Sequence, residues 1–331
     1  MRKIVYGLLV IIAIALAMLS TLSGPRPEIP ESGPEIVLSI EALIPAGTRA
    51  DTEVMLRVLC GDEIVVMSME RYLIGVVASE MPPTFELDAL MAQAVAARTN
   101  ALYNMRVMTN PKHTGADVCS NFSCCAAYNA DESFRKKWKK SYVENITKII
   151  NAVLTTDGEY VSYEDEPIQA LFHSSSAGKT ESSENVWFAH PYLRCVYSPE
   201  TAENMPDDYI TSTPVQRAIF INTVQDKYTD AAFSGNENSW VTIKSYTESG
   251  RVDEFTIGGV DVKATVLRSM FNLRSTAITY EWVGRDIVFT TTGFGHGVGM
   301  SQYGANIMAQ NGWDYKKILR AYYTDVVIVR D

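Results

Sequence analysis

Glu80 has the position best suited to acid–base chemistry in this sequence. A helical pattern runs from Met69 to Met81, and Glu80 lies seven residues after Leu73, on the same apolar stripe. An apolar environment and the negative end of the helix dipole both disfavour an ionised carboxylate, so both raise its pKa. A general acid that works near neutral pH requires such a raised pKa. The alternative is a side chain that passes the helix end and reaches solvent.

The loop from His113 to Tyr128, called the cysteine loop below, carries residue types that bind zinc. His113, Cys119 and Cys125 offer the nitrogen and sulfur ligands that zinc prefers, which predicts one structural Zn²⁺ and no organic cofactor. The alternatives are a disulfide from Cys119 to Cys124 or Cys125 in an oxidising compartment, or unpaired thiols. Neighbouring cysteines rarely pair with each other, for geometric reasons.

The segment Phe172–Lys179 follows a predicted strand and is rich in hydroxyl groups. His173, Ser174 and Ser175 supply an imidazole and two hydroxyls, which suit hydrogen bonding to sugar hydroxyls. The alternative is a turn or capping segment around Gly178. Because the sequence has no G-x-S-x-G motif, it does not favour a serine hydrolase.

Alternate glycines occupy the start of the segment Gly293–Gly304. Residues without a side chain let a ligand or a neighbouring backbone approach closely. The spacing G-x-G-x-G-x-G differs from the G-x-G-x-x-G of a dinucleotide site, so no such site is predicted. Ser301 is predicted to cap the helix that follows, because serine side chains accept from the first amides of a helix.

The elements that carry these residues predict an α+β fold, with mixed strands and helices around a groove. A strand pair is expected from Met55 to Ser68, and an alanine-rich helix from Leu87 to about Met105. The later elements do not show regular βαβ alternation. Further helices are expected near residues 131–153, 215–226, 260–271 and 302–310, and strands near residues 160–163, 168–172 and 240–245.

The N-terminus predicts a membrane anchor. Arg2 and Lys3 precede an apolar run from Ile4 to Leu19, which is typical of a secretory signal or a short anchor. We favour an uncleaved signal-anchor over residues 1–22, because the small residues lie inside the apolar run and not after it. The positive charges keep the N-terminus in the cytoplasm and send the remainder of the chain outside.

The rest of the chain is predicted to form one extracytoplasmic domain behind a linker. Residues 23–34 are rich in proline and glycine, as linkers are. Residues 35–331 form the domain, with a polar insertion near residues 199–238. A formal net charge of −10 excludes nucleic acid as a partner, because the phosphates would repel the protein. The basic run at residues 135–140 is interpreted as a solvated helix face.

Together, these segments resemble the stage II sporulation protein D family, the peptidoglycan lytic transglycosylases of endospore-forming bacteria. The resemblance extends from about Val54 to the C-terminus, and its motifs occur in the family's order. The matching blocks are Tyr72–Pro82, Ala92–Thr99, Asp117–Cys119, Phe172–Ser176, Gly178–Thr180, Ser183–Trp187 and Gly295–Ala305. The cysteine loop departs from the pattern, because Cys125 is followed by Ala126 instead of glutamine and Cys124 replaces another residue. These departures leave the role of the loop open.

The resemblance implies roles for individual residues. Glu80, in its S-E-M-P context, would be the catalytic acid and base. The residues that would border a glycan groove are Gln93, Arg98, His173, Ser174, Ser175 and Tyr303. The family also implies glycan strands that an amidase has stripped of stem peptides. It implies a complex with stage II sporulation proteins P and M during engulfment, with the domain between the mother-cell and forespore membranes.

The implied reaction needs one carboxyl group. Protonated Glu80 donates to the glycosidic oxygen as the bond from the muramic sugar breaks through an oxocarbenium-like state. The ionised carboxylate then removes the proton from that sugar's own C6 hydroxyl, which closes a 1,6-anhydro ring. A hydrolase needs a second carboxylate, and Glu86 and Asp88 lie nearby in the sequence. A zinc ion would shape the groove wall.

Two other functions are compatible with the sequence. A zinc amidase or peptidase could use Glu80, His113, His173 and His296 as ligands. A non-catalytic glycan-binding module could instead stimulate a partner amidase. Release of free stem peptides distinguishes the first function, and intact strands with retained binding distinguish the second.

Overall fold

The computed structural model describes residues 39–107, 113 and 115–330 of the chain. Mixed strands and helices confirm the predicted α+β class. The predicted anchor over residues 1–22 and the linker over residues 23–34 lie outside the described residues. Among the helices that are described, none has both the length and the apolar character that a bilayer crossing requires.

Helices are distributed along the whole described chain. The α-helices are α1 (Ile40–Leu43), α2 (Ala50–Glu53), α3 (Met69–Glu80), α4 (Leu87–Arg106), α5 (Asp131–Trp138), α6 (Tyr142–Thr155), α7 (Arg217–Lys227), α8 (Ala264–Met270), α9 (Gln302–Gln310) and α10 (Tyr315–Tyr322). Single turns of 3₁₀ helix cover Lys139–Ser141, Ser183–Asn185, Asp207–Tyr209 and Glu237–Ser239.

The strands form several small sheets. They are β1 (Met55–Cys60), β2 (Glu63–Ser68), β3 (Val118–Cys119), β4 (Glu159–Tyr163), β5 (Glu166–Pro167), β6 (Phe172–His173), β7 (Ile210–Gln216), β8 (Val241–Tyr246), β9 (Val252–Ile257), β10 (Val260–Lys263), β11 (Ile278–Val283), β12 (Asp286–Thr292), β13 (Met300–Ser301) and β14 (Val327–Arg330). The sheet orders are β2-β1-β3, β10-β9-β8, β11-β12-β7, β14-β4-β5 and β13-β6. The pairs β1–β3 and β6–β13 are parallel, and the others are antiparallel.

Helix α4 is the centre of the first hydrophobic core. It packs against α3, α6, α9, α10 and β4. Its buried positions include Ala92, Ala96 and Ala101, and small side chains at a contact let neighbouring helices come close. The backbone amide of Glu86, just before α4, donates to Asn306 of α9 at 2.8 Å. The alanine-rich pattern therefore produces a helix that is surrounded by other elements.

A second hydrophobic core lies between residues 209 and 292. Strands β7 to β12 and helices α7 and α8 enclose Phe220, Phe255 and Phe289, which are fully buried. The segment near residues 199–238 supplies β7 and α7 to this core, and β7 pairs along its whole length with β12. These elements bring α8 and the loop after it toward the site described below.

The helix expected near residues 131–153 is divided in two. Lys139 has a φ of 49° and separates α5 from α6. The break lets Tyr142 fold back on α5, where its ring lies 4.3 Å from the Arg135 guanidinium and its hydroxyl donates to Asp131. This tertiary contact, which periodicity does not reveal, decides where the helix ends.

Strand pairing shortens two of the other expected helices. The helix expected near residues 260–271 begins only at Ala264, because β10 pairs with β9. The helix expected near residues 215–226 begins at Arg217, because β7 continues to Gln216. In both cases pairing with a distant strand overrides local helical periodicity.

Candidate active site

Glu80 is the last residue of α3 and lines a cavity of about 690 Å³, called the Glu80 cleft below. The side chain is half-buried in this cleft and does not extend freely past the helix end. Its Oε1 accepts from the Ala127 backbone amide at 2.6 Å, and its Oε2 accepts from the Gln302 side-chain amide at 3.2 Å. Burial raises the pKa of the Glu80 carboxyl, and these two hydrogen bonds oppose part of the rise.

The cysteine loop is held against α3 by close packing at Gly75. A Cβ atom at Gly75 would lie 2.4 Å from the Tyr128 ring, so a larger residue would displace the loop. Asn129 donates to the Ser79 hydroxyl at 3.1 Å, one residue before the end of α3. These contacts set the position from which the Ala127 amide reaches the carboxylate.

The strand pair β6–β13 sets the position of the second hydrogen-bond donor. Ser301 of β13 lies beside His173 of β6. Ser301 also caps α9, as predicted, because its side chain accepts from the Gly304 amide. Gln302 is the first residue of α9, so the strand pair and the cap together aim its amide at Glu80.

Both ring nitrogens of His173 are hydrogen-bonded within the protein. Nδ1 donates to the Val298 carbonyl at 3.2 Å, and Nε2 accepts from the Ser176 hydroxyl at 2.7 Å. Burial lowers the pKa of His173 well below its ordinary value, so the ring is neutral at physiological pH. His173 lines the cleft, yet it has no ring nitrogen left for a metal ion or a sugar hydroxyl.

His296 is held in a similar way. The Val298 amide donates to Nδ1 at 3.1 Å, and Nε2 donates to the Phe172 carbonyl at 3.0 Å. Burial and the positive charge of Arg268 lower the pKa of His296 to about 4. Its ring meets that of Trp187 edge to face, with centroids 5.0 Å apart. His296 therefore stabilises the cleft wall as a neutral group.

The alternate glycines let the loop before β13 pack against neighbouring backbone. Gly295 and Gly299 have φ values of 116° and 71°, which favour glycine. A Cβ at Gly299 would lie 2.1 Å from the Leu171 carbonyl oxygen, and one at Gly295 would lie 2.8 Å from the His173 Cβ. The alternate glycines could admit either a ligand or a neighbouring backbone. At Gly295 and Gly299, it is the neighbouring backbone and side-chain atoms of the protein that approach closely.

Exposed aromatic side chains surround the cleft. Phe122 and Phe188 are 80% and 76% exposed, and Trp187 and Phe294 are 50% and 44% exposed. A cluster of exposed apolar groups around a concavity is typical of a ligand-binding groove. These rings offer flat apolar faces to an elongated ligand.

Asn100 lines the cleft and also carries a buried, unpaired acceptor. It lies on α4, and its side-chain Oδ1 is buried without a hydrogen-bond partner among the described residues. A buried carbonyl oxygen without a donor is costly.

Glu80 is the only carboxylate among the described residues that line the cleft. Glu86 and Asp88, the nearest alternatives in sequence, lie elsewhere. Asp88 accepts from the Tyr315 backbone amide at 3.0 Å and so joins α4 to α10. The cleft thus presents one carboxyl group to a ligand.

Two of the six residues assigned to the groove by resemblance, His173 and Ser174, line the Glu80 cleft. Arg98 is 1% exposed and pairs through Nε and Nη2 with Asp51, at 2.8 and 2.6 Å. Gln93 is fully buried, and neither of its amide atoms has a hydrogen-bond partner among the described residues. Both side chains lie inside the first core and do not line the cleft.

Ser175 and Tyr303 also lie outside the cleft lining. Ser175 is buried and exchanges backbone hydrogen bonds with Phe294 at 3.0 and 2.9 Å. Tyr303 packs edge to face against Phe85, with ring centroids 5.0 Å apart. Through backbone hydrogen bonds, Ser175 holds Phe294 and Tyr303 holds Ser174, two residues that line the cleft.

The cysteine loop brings four metal-ligand side chains together. The donor atoms of His113, Cys119, Cys124 and Cys125 all lie within 4.8 Å of one another. No disulfide joins any of the chain's five cysteines, all of which are described. His113 Nδ1 donates to the Ala116 carbonyl at 3.3 Å, which leaves Nε2 to face the Cys125 sulfur at 3.5 Å. The structure thus places Cys124 beside the three residues that the sequence predicts as zinc ligands.

Sequence reasoning did not single out Gln302, Asn100 or Arg268, which also line the cleft. Gln302 lies inside one of the sequence blocks that carry the family resemblance. The block does not reveal that the Gln302 side chain contacts Glu80. Asn100 lies seven residues after Gln93 on α4, but Gln93 is buried in the first core, so this spacing offered no usable signal. Nothing in the local sequence points to Arg268.

Comparison with known proteins connects this site to sporulation proteins. The family model described as SpoIID, Stage II sporulation protein, matches residues 61–163, which include Glu80 and the cysteine loop. Stage II sporulation protein D of Bacillus amyloliquefaciens is 36% identical over 261 residues, or 78% of this chain and 74% of that protein. The protein of the same name from Bacillus subtilis is 37% identical over 262 residues, or 77% and 72%.

A second kind of relative is an amidase enhancer from Bacillus subtilis. It is 27% identical over 296 residues, which are 75% of this chain and 39% of that protein.

Proposed function

Because the chain belongs to the stage II sporulation protein D family, we propose that it is a peptidoglycan lytic transglycosylase. Membership indicates a cell-wall-active enzyme in the cell envelope during sporulation. The proposed activity is cleavage of peptide-free glycan strands to 1,6-anhydro-muramyl products during engulfment. The observation that carries the proposal is one half-buried carboxyl with a raised pKa in an aromatic-rimmed cleft.

Glu80 performs both proton transfers in the proposed reaction. The protonated carboxyl donates to the glycosidic oxygen, and the bond to C1 of the muramic sugar breaks. The Ala127 and Gln302 amides then stabilise the carboxylate that remains. That carboxylate removes the proton of the sugar's C6 hydroxyl, whose oxygen bonds to C1. Since the sugar supplies its own nucleophile, a single carboxyl in the described lining is sufficient.

The cleft walls offer contacts that suit an N-acetylated glycan. The exposed rings of Trp187 and Phe188 provide apolar faces for sugar rings. Asn100, which also lines the cleft, carries a side-chain amide of the kind that pairs with acetamido groups. Ser174 adds a hydroxyl beside them. Recognition is therefore proposed to depend on ring faces and acetamido groups.

A zinc ion in the cysteine loop is a further part of the proposal. An ideal tetrahedral zinc site separates its sulfur and nitrogen donors by about 3.5 Å. The Cys125 sulfur and His113 Nε2 are 3.5 Å apart, and the Nδ1 bond to the Ala116 carbonyl is the arrangement usual for a zinc-bound histidine. Three thiolates and one imidazole would supply structural rigidity to the loop that carries Ala127. Four protein ligands leave no open position, which favours a structural role over a zinc amidase.

We expect one equivalent of zinc per chain in protein purified without added metal, and loss of that zinc in Cys119→Ser. With cobalt in place of zinc, Cys124→Ser should lower the thiolate-to-metal absorption by about one third, because one of three sulfurs is removed. Metal analysis and absorption spectra measure both effects. Cys195→Ser, outside the cluster, is the matched control and should change neither quantity. A stoichiometric disulfide at Cys119 would contradict the metal site.

The Gln302 hydrogen bond leads to a prediction about pH. The amide stabilises the ionised form of Glu80 and so lowers its pKa. Its removal in Gln302→Leu should raise that pKa further. The reaction begins with protonated Glu80, so activity falls as pH rises through the pKa of this carboxyl. We therefore expect the falling limb of the pH profile of kcat/KM to move to higher pH. A limb that stays in place or moves to lower pH would show that Glu80 is not the acid.

The cellular setting of the proposal is the outer face of the cytoplasmic membrane. Residues 1–22 are proposed to anchor the chain by a single pass, and residues 23–34 to hold the domain away from the bilayer. Stage II sporulation proteins P and M are the proposed partners. No nucleic acid is expected as a partner, given the net charge of −10.

Product analysis tests the proposed function directly. The full chain is incubated alone with amidase-treated glycan strands, and the products are identified by mass spectrometry. Anhydro-muramyl ends, which lack the water that hydrolysis adds, support a lytic transglycosylase. Intact strands that remain bound would instead support the amidase-enhancer alternative, and release of stem peptides from untreated peptidoglycan would support an amidase.

A further inference from the structure

Arg268 places a positive charge in the wall of the Glu80 cleft. It lies on α8, in the part of the chain that forms the second core, and it lines the cleft with Glu80 and His296. Its Nε donates to the Leu273 carbonyl at 3.2 Å, across the turn that ends α8. This bond fixes the plane of the half-buried guanidinium and leaves its two terminal amino groups for other partners.

In the described part of the chain, no carboxylate forms an ion pair with the Arg268 guanidinium. Among the described residues, Arg268 takes part in no ion pair, unlike Arg98, Arg194 and Arg274. Burial lowers the pKa of the Arg268 guanidinium, and the charge lowers the pKa of the nearby His296. A partly desolvated cation without a counter-ion is unfavourable, so an anionic group of a ligand would be stabilised at this position.

The proposed substrate carries such a group only after amidase action. Each muramic sugar bears a lactyl side chain whose carbonyl is an amide when a stem peptide is attached. Removal of the peptide converts that amide into a free carboxylate. The glycan otherwise consists of neutral sugars, so this carboxylate is the anion that a stripped strand brings into the cleft.

We propose that Arg268 binds the lactyl carboxylate and thereby makes the cleft selective for peptide-free strands. This inference rests on the proposed function. It names the residue that distinguishes strands without stem peptides from strands that carry them. A guanidinium can donate two parallel hydrogen bonds to a carboxylate. The amide of a peptide-bearing strand carries no charge and cannot replace both bonds. A bound peptide-bearing strand would leave the guanidinium buried without an anionic partner, which disfavours its binding. A peptide-free strand supplies the carboxylate and binds more tightly.

The test measures binding by the full chain carrying Glu80→Gln, so that the strands stay intact. Two probes are compared: peptide-free strands, and the same strands with their lactyl carboxylates converted to methylamides by a carbodiimide. Without further change, the protein should bind the carboxylate strands about ten- to a hundredfold more tightly than the methylamide strands. Adding Arg268→Gln should reduce this preference to near unity, mainly by weakening binding to the carboxylate strands.

Two controls separate recognition from structural support. Arg268→Lys keeps the charge but loses the paired donors, so it should retain part of the preference. Lys263→Gln removes an exposed charge just before α8 and should leave the preference unchanged. Equal losses on both probes in Arg268→Gln would mean a purely structural role and overturn the proposal. An unchanged preference would overturn it as well.

Failure of this inference and failure of the proposed function give different results. If the chain with Glu80 intact releases anhydro products but Arg268→Gln keeps the preference, only the role of Arg268 is wrong. If the preference depends on Arg268 but no anhydro products form, the cleft binds stripped glycan without cleaving it.

Discussion

Glu80→Gln is expected to abolish release of 1,6-anhydro-muramyl products from peptide-free strands, with a fall in kcat of about a thousandfold or more. The glutamine side chain keeps the size of the group and its place between Ala127 and Gln302. It can neither donate a proton to the glycosidic oxygen nor accept one from the C6 hydroxyl. Both proton transfers are therefore lost, while the exposed rings proposed to bind the glycan remain.

The measurement is the rate of anhydro-product formation by purified full-length protein, with strand binding followed in parallel. Glu86→Gln is the matched control, because it changes a nearby carboxyl that does not line the cleft. We expect its rate to equal that of the unaltered protein. Undiminished product release by Glu80→Gln would remove this carboxyl from the mechanism. A large loss in Glu86→Gln would indicate a second catalytic carboxylate and therefore a hydrolase.

The second large effect concerns stability. Arg98→Met should lower the free energy of unfolding by about 3–5 kcal/mol, because it leaves the Asp51 carboxylate buried without its partner. The guanidinium donates to both oxygens of Asp51 and to the Glu159 carbonyl at 2.9 Å. It thereby joins α2, α4 and the start of β4. Arg98 is expected to act as an internal brace and not as a glycan contact.

Urea unfolding measures this loss of stability. Binding of glycan strands by the folded fraction of the variant tests whether Arg98 also contacts the glycan. The double variant Arg98→Met/Asp51→Leu should recover part of the stability, since it removes both buried charges. Arg106→Met, in the exposed last turn of the same helix, should cost less than about 1 kcal/mol. If Arg98→Met has normal stability but loses glycan binding, Arg98 contacts the glycan and is not mainly structural.

The parts of the site that could be predicted depend on short stretches of chain. The spacing from Leu73 to Glu80 predicted the helix, the apolar surroundings and the direction of the pKa shift. The cap at Ser301 was predicted from its residue type and position. Both predictions succeed because helix periodicity and capping are decided within one or two turns. Family motifs also identified the segments that line the cleft, though not which side chains in them face it.

A correct helix prediction did not show which of its residues are buried in the core and which line the cleft. Arg98 and Gln93 lie on α4, whose existence and composition were predicted, yet both are buried in the first core. Asn100, on the same helix, lines the cleft. Because α4 is covered on most sides, its sequence has too weak an amphipathic pattern to show which face meets the ligand. Only packing with the neighbouring helices decides that.

The sequence alone was enough to determine the fold class and the family, and it singled out Glu80 and three of the four clustered His and Cys side chains, since each depends on local pattern or on motif. The tertiary structure alone decided which groups surround Glu80. Gln302 is 222 residues from Glu80, and Arg268 comes from a separate hydrophobic core. Their approach results from strand pairing and helix packing across the whole domain, and such long-range contacts leave no periodic signal in the residues that make them.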